Sequence, residues 1–545
     1  MISKNIFAGL TVGIIALPLS MALAIAIGVP PQNGLYTAII AGIIAAIFGS
    51  SKVNISGPTA AFVVILIPIV HEFGLMGLLL CGMLSGFILL LMGLFKLGNL
   101  IELIPYPVTV GFTTGIATVI ATFQVKDFFG LEIVEFSGHF HEKVMILINS
   151  FSTFKSTELL VGLITLFILI VWSKSKSKIP SALVALTAVT LGVGVANFYF
   201  GYSISTIAST FEYEIGEFVG KGIPPVPLQF TLPWSELSLE DINLNLFYKL
   251  LPHSVAIAIL GALESLLCAV ITDGMTGNRT DPNKELIGQG LANIAVPFFG
   301  GIPATAAIAR SAANVKSGGT SKLSSVVHSL FILCAVVLFA PYLSYLPMAS
   351  LSALLLIVAW NMSEIKHFKN ILQVAPRHDV YVLLTCFSLT VLLDMQIAVG
   401  VGMGLASILF IKRTIDLYSI ELLSTKEASQ HPDLPEDMAI YDINGPMFFG
   451  AAQSALRTLL STKEEINVVI INMQNVSMID MTGLVAVKSI VDIFKSKKKK
   501  LVICGLKPRM IQKFKKVGIV FDEENLVLEP NIEAFTSKNI LVDNS

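Results

Sequence analysis

The chain has 545 residues, of which 54% are hydrophobic and 13% are charged, with a formal net charge of -1. Soluble domains carry roughly 25% charged residues, so this chain cannot cover a soluble surface of its size. The near-zero net charge also excludes a nucleic-acid-binding or disordered chain. These values predict a polytopic α-helical membrane protein.

Apolar segments follow one another from the start of the sequence to about Arg413. A bilayer core about 30 Å thick requires about 20 helical residues, and we predict fourteen transmembrane segments in two sets of seven. The first set comprises residues 6–27, 33–48, 56–70, 75–95, 106–128, 157–173 and 180–203. The second set comprises residues 250–275, 285–300, 303–316, 321–341, 345–361, 378–395 and 396–413. Residues 204–249 form the connection, which we predict to be extracellular.

The charges of the loops predict the orientation. If the N-terminus is cytoplasmic, the inside loops contain the basic residues, among them Lys52, Lys96, Lys174, Lys176, Lys178, Arg279, Lys284, Lys366, Lys369, Lys412 and Arg413. The outside loops then contain the acidic strings "EIVEFSGHFHEK" and "FEYEIGEF". This is the positive-inside pattern. An even number of spans also places the C-terminal domain in the cytoplasm.

The third and tenth segments are too short to cross the bilayer as helix alone. They begin "NISGPTAAFVV" (54–64) and "GIPATAAIARSAAN" (301–314), each with Gly and Pro ahead of Thr-Ala-Ala. Such segments at matching positions of two halves indicate a transporter binding site. A half-helix that starts at mid-membrane directs free N–H groups and its positive dipole end into that site. We therefore predict an anion pocket between the two starts; ordinary bent helices packed through small residues are the alternative.

Arg310 lies about two turns into the tenth segment. A guanidinium inside the membrane costs about 2.5–3.5 kcal/mol or more, so it should face a cavity or a partner. It also supplies a permanent positive charge. The alternative is a structural arginine that snorkels to the interface or donates to backbone carbonyls.

Glu264 is the second intramembrane charge, within "AILGALESLLCAV" (258–270). Burial favours the protonated carboxyl group, so Glu264 is a candidate to exchange a proton or to help hold Na⁺. The alternative is a buried carboxyl group bonded to a neighbouring helix end. Asp273 and Asp394 are predicted to be interfacial or capping residues, and His328 to be a packing residue.

Several strings resemble the SulP family of anion transporters. The string "AGLTVGIIALPLSMALAIAIGVPPQNGLYTA" (8–38) is similar to the family's first two spans. The strings "SGPTAAFVV", "GALESLLCAVITDGMTG" and "ATAAIARSAAN" are similar to its third, eighth and tenth spans, respectively. The resemblance implies two inverted seven-span repeats (residues 1–203 and 250–413, within a transmembrane domain of residues 1–413) that fold into a core domain and a gate domain. It also implies an elevator-like movement of the core, in the inner membrane of a bacterium.

The resemblance also implies the residues of the anion site. Carried over position by position, they are Leu19, Ser20, Leu23, Gly57, Pro58, Thr59, Ala60, Ala306, Ala307, Ile308, Ala309 and Arg310. Many members have Gln at the position of Leu19, an aromatic residue at Leu23 and Ser at Ala309. The site of this chain is therefore expected to be less polar and roomier.

Within the family, these sequence strings are most similar to those of bacterial C4-dicarboxylate carriers. We therefore expect a secondary transporter of succinate, fumarate or aspartate type anions, coupled to protons. The alternatives are a sulfate or bicarbonate transporter, with Na⁺ as a possible coupling ion, and an anion channel or voltage-responsive motor. The sequence contains no HExxH, nucleophile elbow or Walker motif, so we predict neither an enzyme nor a cofactor.

Residues 414–436, with the string "ASQHPDLPED", are predicted to be a linker. Residues 437–545 alternate strand and helix patterns and resemble a STAS domain, which in this family often supports homodimers. In related anti-sigma factor antagonists the position of Thr482 is phosphorylated; here we predict that Thr482 caps a helix start, with phosphorylation of Thr482 as the alternative. The lysine-rich run Lys495–Lys500 is predicted to be solvated at a helix end, with anionic lipid or an acidic partner protein as the alternative.

Overall fold

A computed structural model of the chain describes residues 2–99, 104–133, 136, 138–175, 177, 179–215, 218–226, 228–235, 244–393, 395–416, 419–423, 437–460, 465–522 and 524–540. The chain forms two compact units, Met1–Ala406 and Ser407–Ser545. The first unit is helical, and the second unit contains a β-sheet covered by helices.

In the described part of its first half, the membrane unit contains nine α-helices. They are α1 Ile2–Ile27, α2 Pro31–Phe48, α3 Ala60–Leu94, α4 Tyr106–Phe123, α5 Val125–Phe129, α6 Phe140–Asn149, α7 Ser156–Ser173, α8 Ser181–Phe200 and α9 Ile207–Thr210. Strand β1 (Ser56–Gly57) precedes α3. Strands β2 (Glu212–Ile215) and β3 (Phe218–Lys221) form an antiparallel hairpin within the predicted connection between the two sets of spans.

The second half, over the residues that the structure describes, contains eight α-helices and one short strand. They are α10 Leu244–Thr276, α11 Pro282–Ala295, β4 Thr305–Ala306, α12 Ile308–Lys316, α13 Leu323–Leu343, α14 Met348–Met362, α15 Ile365–Val374, α16 Arg377–Leu392 and α17 Met395–Asp416. Helix α17 continues past the predicted end at residue 413, and the two units divide inside it. Among the described residues, nine helical stretches are long and apolar enough to cross a membrane; the count of fourteen spans stays a prediction.

The third and fourth predicted segments form one bent helix, α3. Two features interrupt its regular geometry, Pro68 inside the helix and Gly74, whose φ of +67° is not helical. Glycine adopts this conformation without the clash that a Cβ atom would cause. The predicted break between residues 70 and 75 is therefore a kink, and residues 56–57 belong to a strand instead of the helix.

The membrane helices pack in two groups. Helices α1, α2, α3, α10, α11, α12 and α13, here called the core bundle, pack mainly against one another. Helices α4, α5, α7, α8, α14, α15 and α16 form the gate bundle. Small residues allow close helix approach: Cβ atoms built on Gly86 and Gly290 would each lie 2.6 Å from a backbone nitrogen of the facing helix.

The second unit contains a five-stranded sheet in the order of the chain. Its strands are β5 Ser419–Leu423, β6 Met438–Asn444, β7 Val468–Asn472, β8 Lys500–Cys504 and β9 Leu526–Glu529, with β5 antiparallel to β6 and the other pairs parallel. Its helices are α18 Phe449–Leu460, α19 Met481–Ser496, α20 Pro508–Lys516 and α21 Ile532–Ile540. The alternating order agrees with the prediction. Strand β5, however, lies inside the predicted linker 414–436, because its five residues pair as an edge strand along β6.

The prediction that Thr482 caps α19 is wrong. The cap is Asp480, whose carboxylate accepts the N–H of Gly483 at 2.7 Å. Thr482 lies in the first turn with an exposed side chain. The lysine-rich run starts in α19, passes through a turn in which Lys498 has φ of +53°, and ends in β8.

Candidate functional site

Strands β1 and β4 pair with each other in the middle of the core bundle. The pairing is antiparallel, with Ser56 opposite Ala306 and Gly57 opposite Thr305. The backbone N–H of Ala307 extends the pairing by donating to the carbonyl of Ile55 at 2.9 Å. Since each strand leads into a helix, α3 and α12 leave the pair in opposite directions. Their amino ends are therefore brought together, as two facing broken segments require.

Polar side chains of α11 hold the strand pair in place. The Asn293 amide donates to the carbonyl of Ala304 and accepts from its N–H, both at 2.8 Å. Gln289 Nε2 donates to Ser56 Oγ at 2.7 Å. All four residues are buried. These bonds satisfy backbone and hydroxyl groups that water cannot reach. Neither Asn293 nor Gln289 is among the predicted site residues.

Helix α10 supplies a second brace. Ser265 Oγ lies 2.7 Å from Thr305 Oγ1 and accepts the N–H of Ala306 at 3.2 Å. Thr305 Oγ1 also donates to the carbonyl of Gly261 at 3.2 Å. The strand β4 is thus bonded from α10 as well as α11, which fixes the position at which α12 begins.

The two helix starts have no side-chain caps. Thr59 and Ala307 occupy the N-cap positions of α3 and α12, and neither side chain bonds a first-turn N–H. Thr59 Oγ1 is buried and has no partner among the described residues, and the same holds for Ser20 Oγ in α1. Helix α1 packs against both α3 and α12. First-turn N–H groups normally require a partner, so this point of the core carries unused hydrogen-bond donors.

Arg310 lies beside these donors with a side chain that is 2% exposed. Its Nη2 donates to the carbonyl of Pro58, at the start of α3. Its Nε and Nη1 have no partner within the described part of the chain. Arg310 sits in the first turn of α12 and not two turns into a helix, because α12 begins at Ile308. One predicted alternative, a bond to a backbone carbonyl, is thus present for one nitrogen, while two remain free.

The remaining predicted site residues are small or apolar. Leu23 is buried in α1 and Leu19 is half-buried beside it. A Cβ atom on Gly57 would lie 2.8 Å from Nη1 of Arg310, so only glycine leaves room for the guanidinium. At the helix starts, Ala60, Ala306 and Ala307 are buried, Ile308 is half-buried and Ala309 is exposed.

Glu264 lies one residue before Ser265 in α10, which packs against β4 and α12. Its side chain is 6% exposed and makes no hydrogen bond or ion pair with any described residue. The predicted alternative of a bond to a neighbouring helix end is therefore not observed. A carboxyl group without a fixed partner remains available for a proton or a cation.

The other titratable residues considered above have structural contacts. Asp273 accepts from the N–H and the hydroxyl of Thr280 at 2.6 and 2.9 Å, which ties the loop after α10 to that helix; the cap of α11 is Asp281. His328 is fully buried, with Nδ1 3.5 Å from Ser329 Oγ. Asp394 lies outside the described residues.

This arrangement can hold an anion without covalent chemistry. Free N–H groups at two helix starts carry partial positive charge. Buried hydroxyl groups and a guanidinium add directed donors, and hydrogen bonds to charged groups are the stronger ones. The fold and the arrangement of these groups are those expected of a membrane protein that binds an anion at two facing helix starts.

Comparison with known proteins identifies the class further. Residues 2–386 match the Sulfate permease family, and residues 426–533 match the STAS domain. The chain is 41% identical over 517 residues to YvdB of Bacillus subtilis (strain 168), provisionally named a sulfate transporter, covering 95% of this chain and 94% of YvdB. It is 29% identical to the bicarbonate transporter BicA of Picosynechococcus sp. (strain ATCC 27264 / PCC 7002 / PR-6), covering 84% and 80% of the two chains.

Solved structures show the same fold. The overall structure of SLC26A9 superposes with a TM-score of 0.82 at 16% identity, covering 99% of this chain and 91% of the other. The transmembrane domain of a cyanobacterial BicA gives a TM-score of 0.62 at 26% identity, covering 73% and 97%. The chain therefore belongs to the sulfate permease (SulP) family, with a C-terminal STAS domain. It is an anion transporter and not an enzyme, which confirms the resemblance seen in the sequence.

Proposed function

We propose that this chain is a secondary active transporter that carries a small oxyanion bound between the starts of α3 and α12. The observation that supports the proposal is the pairing of β1 with β4, which sets two uncapped helix starts beside Arg310. The core bundle would carry this site past the gate bundle in an elevator movement. Alternating exposure would then move the anion across the membrane.

The proposed cargo is inorganic, sulfate or bicarbonate. Two relatives bear the names of a sulfate and a bicarbonate transporter. Arg310 is the one buried cation that the described residues place at these helix starts. A single compact set of donors suits one charged group better than two carboxylates separated by a carbon chain.

The second candidate cargo is a C4-dicarboxylate such as succinate, fumarate or aspartate. The observation that favours it is the apolar character of Leu19, Leu23 and Ala309, which could contact a carbon chain. Competition in proteoliposomes separates the candidates: unlabelled sulfate, bicarbonate and succinate are tested against uptake of each labelled anion. We expect sulfate or bicarbonate to compete most strongly, and dominant competition by succinate would reverse the order.

The same vesicles distinguish a carrier from a channel. A coupled carrier saturates with substrate and accumulates it against a gradient. We expect both properties, whereas unsaturated flux with single-channel currents would contradict the proposed mechanism. Loss of accumulation on dissipating an imposed ion gradient would show coupling.

We propose Glu264 as the residue that couples transport to H⁺, with Na⁺ as the alternative ion. An inside-negative membrane potential opposes anion entry by about 2.3 kcal/mol per charge per 100 mV, and a co-transported cation offsets this term. We expect Glu264→Gln to abolish uptake driven by a pH gradient while anion binding is retained. If pH-driven uptake persists in the variant, Glu264 is not the coupling residue.

We also propose the domain arrangement and setting. The transmembrane domain spans residues 1–413, the cytoplasmic STAS domain begins near residue 437, and the N-terminus is cytoplasmic in a bacterial inner membrane. The protein is proposed to be a homodimer, which mass photometry in nanodiscs can test. Contact of Lys495–Lys500 with anionic lipid or an acidic protein, and phosphorylation of Thr482, remain predictions.

A further inference from the structure

A cavity of about 520 Å³ lies between the core and gate bundles. Its walls come from α3, α4 and α16, and the segment that leads into α6 covers it. Val64 lines one end and His71 and Glu72 line the other. Val64 is four residues from Ala60, or about 6 Å along a helix axis. The cavity, here called the vestibule, therefore approaches the start of α3 and the anion site.

Lys143 of α6 lines the vestibule and is an unusual lysine. Its side chain is only 6% exposed, and its Nζ lies 4.9 Å from the ring centroid of Phe123 and 5.6 Å from that of Phe136. Within the described part of the chain it forms no ion pair or hydrogen bond. Buried lysines are normally paired, and aromatic faces supply only part of the stabilisation that a carboxylate would give. Burial also lowers the pKa of the Lys143 ammonium group.

The neighbouring acidic residue does not neutralise Lys143. The Glu142 carboxylate caps α6 by accepting the N–H of His139 at 2.7 Å. Glu72 lies in the vestibule wall with an exposed side chain, and so do His71 and His139. Water screens an exposed carboxylate, whereas a buried ammonium group acts through a lower dielectric. Among the described residues that line the vestibule, Lys143 is therefore the one charged group that is buried.

We propose that the vestibule is a second anion site, at which a small inorganic oxyanion binds Lys143 before it passes to the starts of α3 and α12. The proposal that anions pass onward rests on the transport function proposed above. Binding in the vestibule does not depend on it. An ammonium group beside an open cavity raises the local concentration of anions and their rate of entry.

Charge-selective thiol labelling tests the site without requiring transport. The background is Cys334→Ser, because Cys334 is the one exposed native thiol among the described residues. Burial raises the pKa of Cys504 to about 12, which keeps that thiol unreactive. In His71→Cys protein, the rate of modification by the anionic reagent MTSES is compared with that of cationic MTSET. Sulfate and bicarbonate are then added as competitors.

The expected result is specific to Lys143. Lys143→Met should lower the ratio of the MTSES rate to the MTSET rate by about tenfold, and Lys143→Arg should retain that ratio. Sulfate and bicarbonate should protect the thiol of His71→Cys only in proteins with Lys or Arg at position 143. The matched control is Lys155→Met, which removes an ammonium group paired with Glu132 at 3.0 Å outside the vestibule. Equal ratios in the wild-type and Lys143→Met backgrounds, or protection that ignores Lys143, would overturn the proposal.

Transport kinetics test the second part of the proposal, that the anion passes from the vestibule to the starts of α3 and α12. Lys143→Met should raise the KM for anion uptake from the vestibule side by about tenfold with little change in maximal rate, while Lys143→Arg restores KM. A folded Lys143→Met protein, judged by its thermal transition, with unchanged KM would refute the entry role. If the proposed transport function is wrong, the result differs: the wild-type protein would take up no anion, although thiol labelling would still show the expected dependence on Lys143.

Discussion

Arg310 combines two roles at one position. One nitrogen donates to the Pro58 carbonyl and two nitrogens have no partner among the described residues, so the same group contacts the start of α3 and keeps donors for the proposed anion site. Lysine has a comparable charge but cannot present a planar fork to a carbonyl and an oxyanion together. The chemistry therefore requires guanidinium geometry as well as charge.

Arg310→Gln and Arg310→Lys separate these contributions. Gln removes the charge, and we expect anion affinity to fall about 10- to 100-fold, since hydrogen bonds to charged groups contribute about 1.5–3 kcal/mol. Lys should recover part of the affinity. Equilibrium binding of labelled sulfate and bicarbonate to purified protein measures both, with the thermal transition as a control for folding. Wild-type affinity in Arg310→Gln would exclude Arg310 from the site.

Gly57 lies so close to the guanidinium of Arg310 that a side chain at this position would collide with it. A Cβ atom there would lie 2.8 Å from Nη1 and 3.3 Å from the Cα of Ala38. We expect Gly57→Ala to displace the guanidinium, to destabilise the protein by about 1–3 kcal/mol and to reduce anion binding. The matched control is Gly192→Ala in α8, where no atom lies within 4 Å of the added methyl group. Equal behaviour of the two variants would mean that the close approach at Gly57 has no consequence.

At the scale of elements, the site depends on two strands of two residues each. Such strands are too short to be stable alone, so their position comes from side chains of α10 and α11. The Asn293 amide makes the two hydrogen bonds to the backbone of Ala304 that a neighbouring strand would otherwise make. This explains why both helices pack tightly on the broken segments.

Asn293→Leu tests this brace. The backbone N–H and carbonyl of Ala304 would lose their partners, at about 1–3 kcal/mol for each buried group, and anion binding should weaken because α12 would begin in the wrong place. Asn197→Leu is the control, since Asn197 makes the same pair of bonds to Ile204 in the gate bundle, at 3.4 and 3.2 Å. We expect the control to lose stability but to keep its KM. A normal KM in Asn293→Leu would contradict the bracing role.

The sequence predicted the location of these elements better than their form. Gly and Pro ahead of Thr-Ala-Ala correctly indicated two breaks, because those residues leave few helical options. The pairing of β1 with β4 could not be predicted, since two-residue strands carry no periodic pattern. The predicted depth of Arg310 is about one and a half turns too great for the same reason: because the two-residue strand gives no signal, the predicted tenth segment begins five residues before α12.

The side chains around the site show the same limit. Ser265, Gln289 and Asn293 are polar residues within apolar stretches, and that feature was the only available signal. The sequence around Lys143 gives no such signal, because a lysine within a polar loop is usually solvated. Thr482 and Asp480 are both good capping residues, and only the backbone of α19 decides between them.

At the scale of the whole molecule, the proposed elevator mechanism requires the core bundle to move relative to the gate bundle. The vestibule separates the two bundles, with Val64 of α3 on one side and Thr390 of α16 on the other. A carrier of this kind binds its cargo in one state and releases it in another. Rigid packing within each bundle allows such movement without loss of the site.

Bridging the two bundles tests this movement. We expect Val64→Cys with Thr390→Cys, in the Cys334→Ser background, to stop transport when a bifunctional thiosulfonate joins the two thiols. Anion binding should be retained, and reduction should restore transport. The control is either single cysteine treated with the same reagent. Undiminished transport by fully bridged protein would show that these surfaces do not move apart.

The transport function proposed for this chain depends on an anion that binds between the first turns of α3 and α12 beside Arg310. The most direct test is a cryo-electron microscopy difference map of the protein in nanodiscs, with and without the anion that it transports. We predict added density within hydrogen-bond distance of the first-turn N–H groups of both helices and of Arg310 Nη1, and its loss in Arg310→Gln. Saturating binding without density between these helix starts, or density found only elsewhere, would contradict the claim.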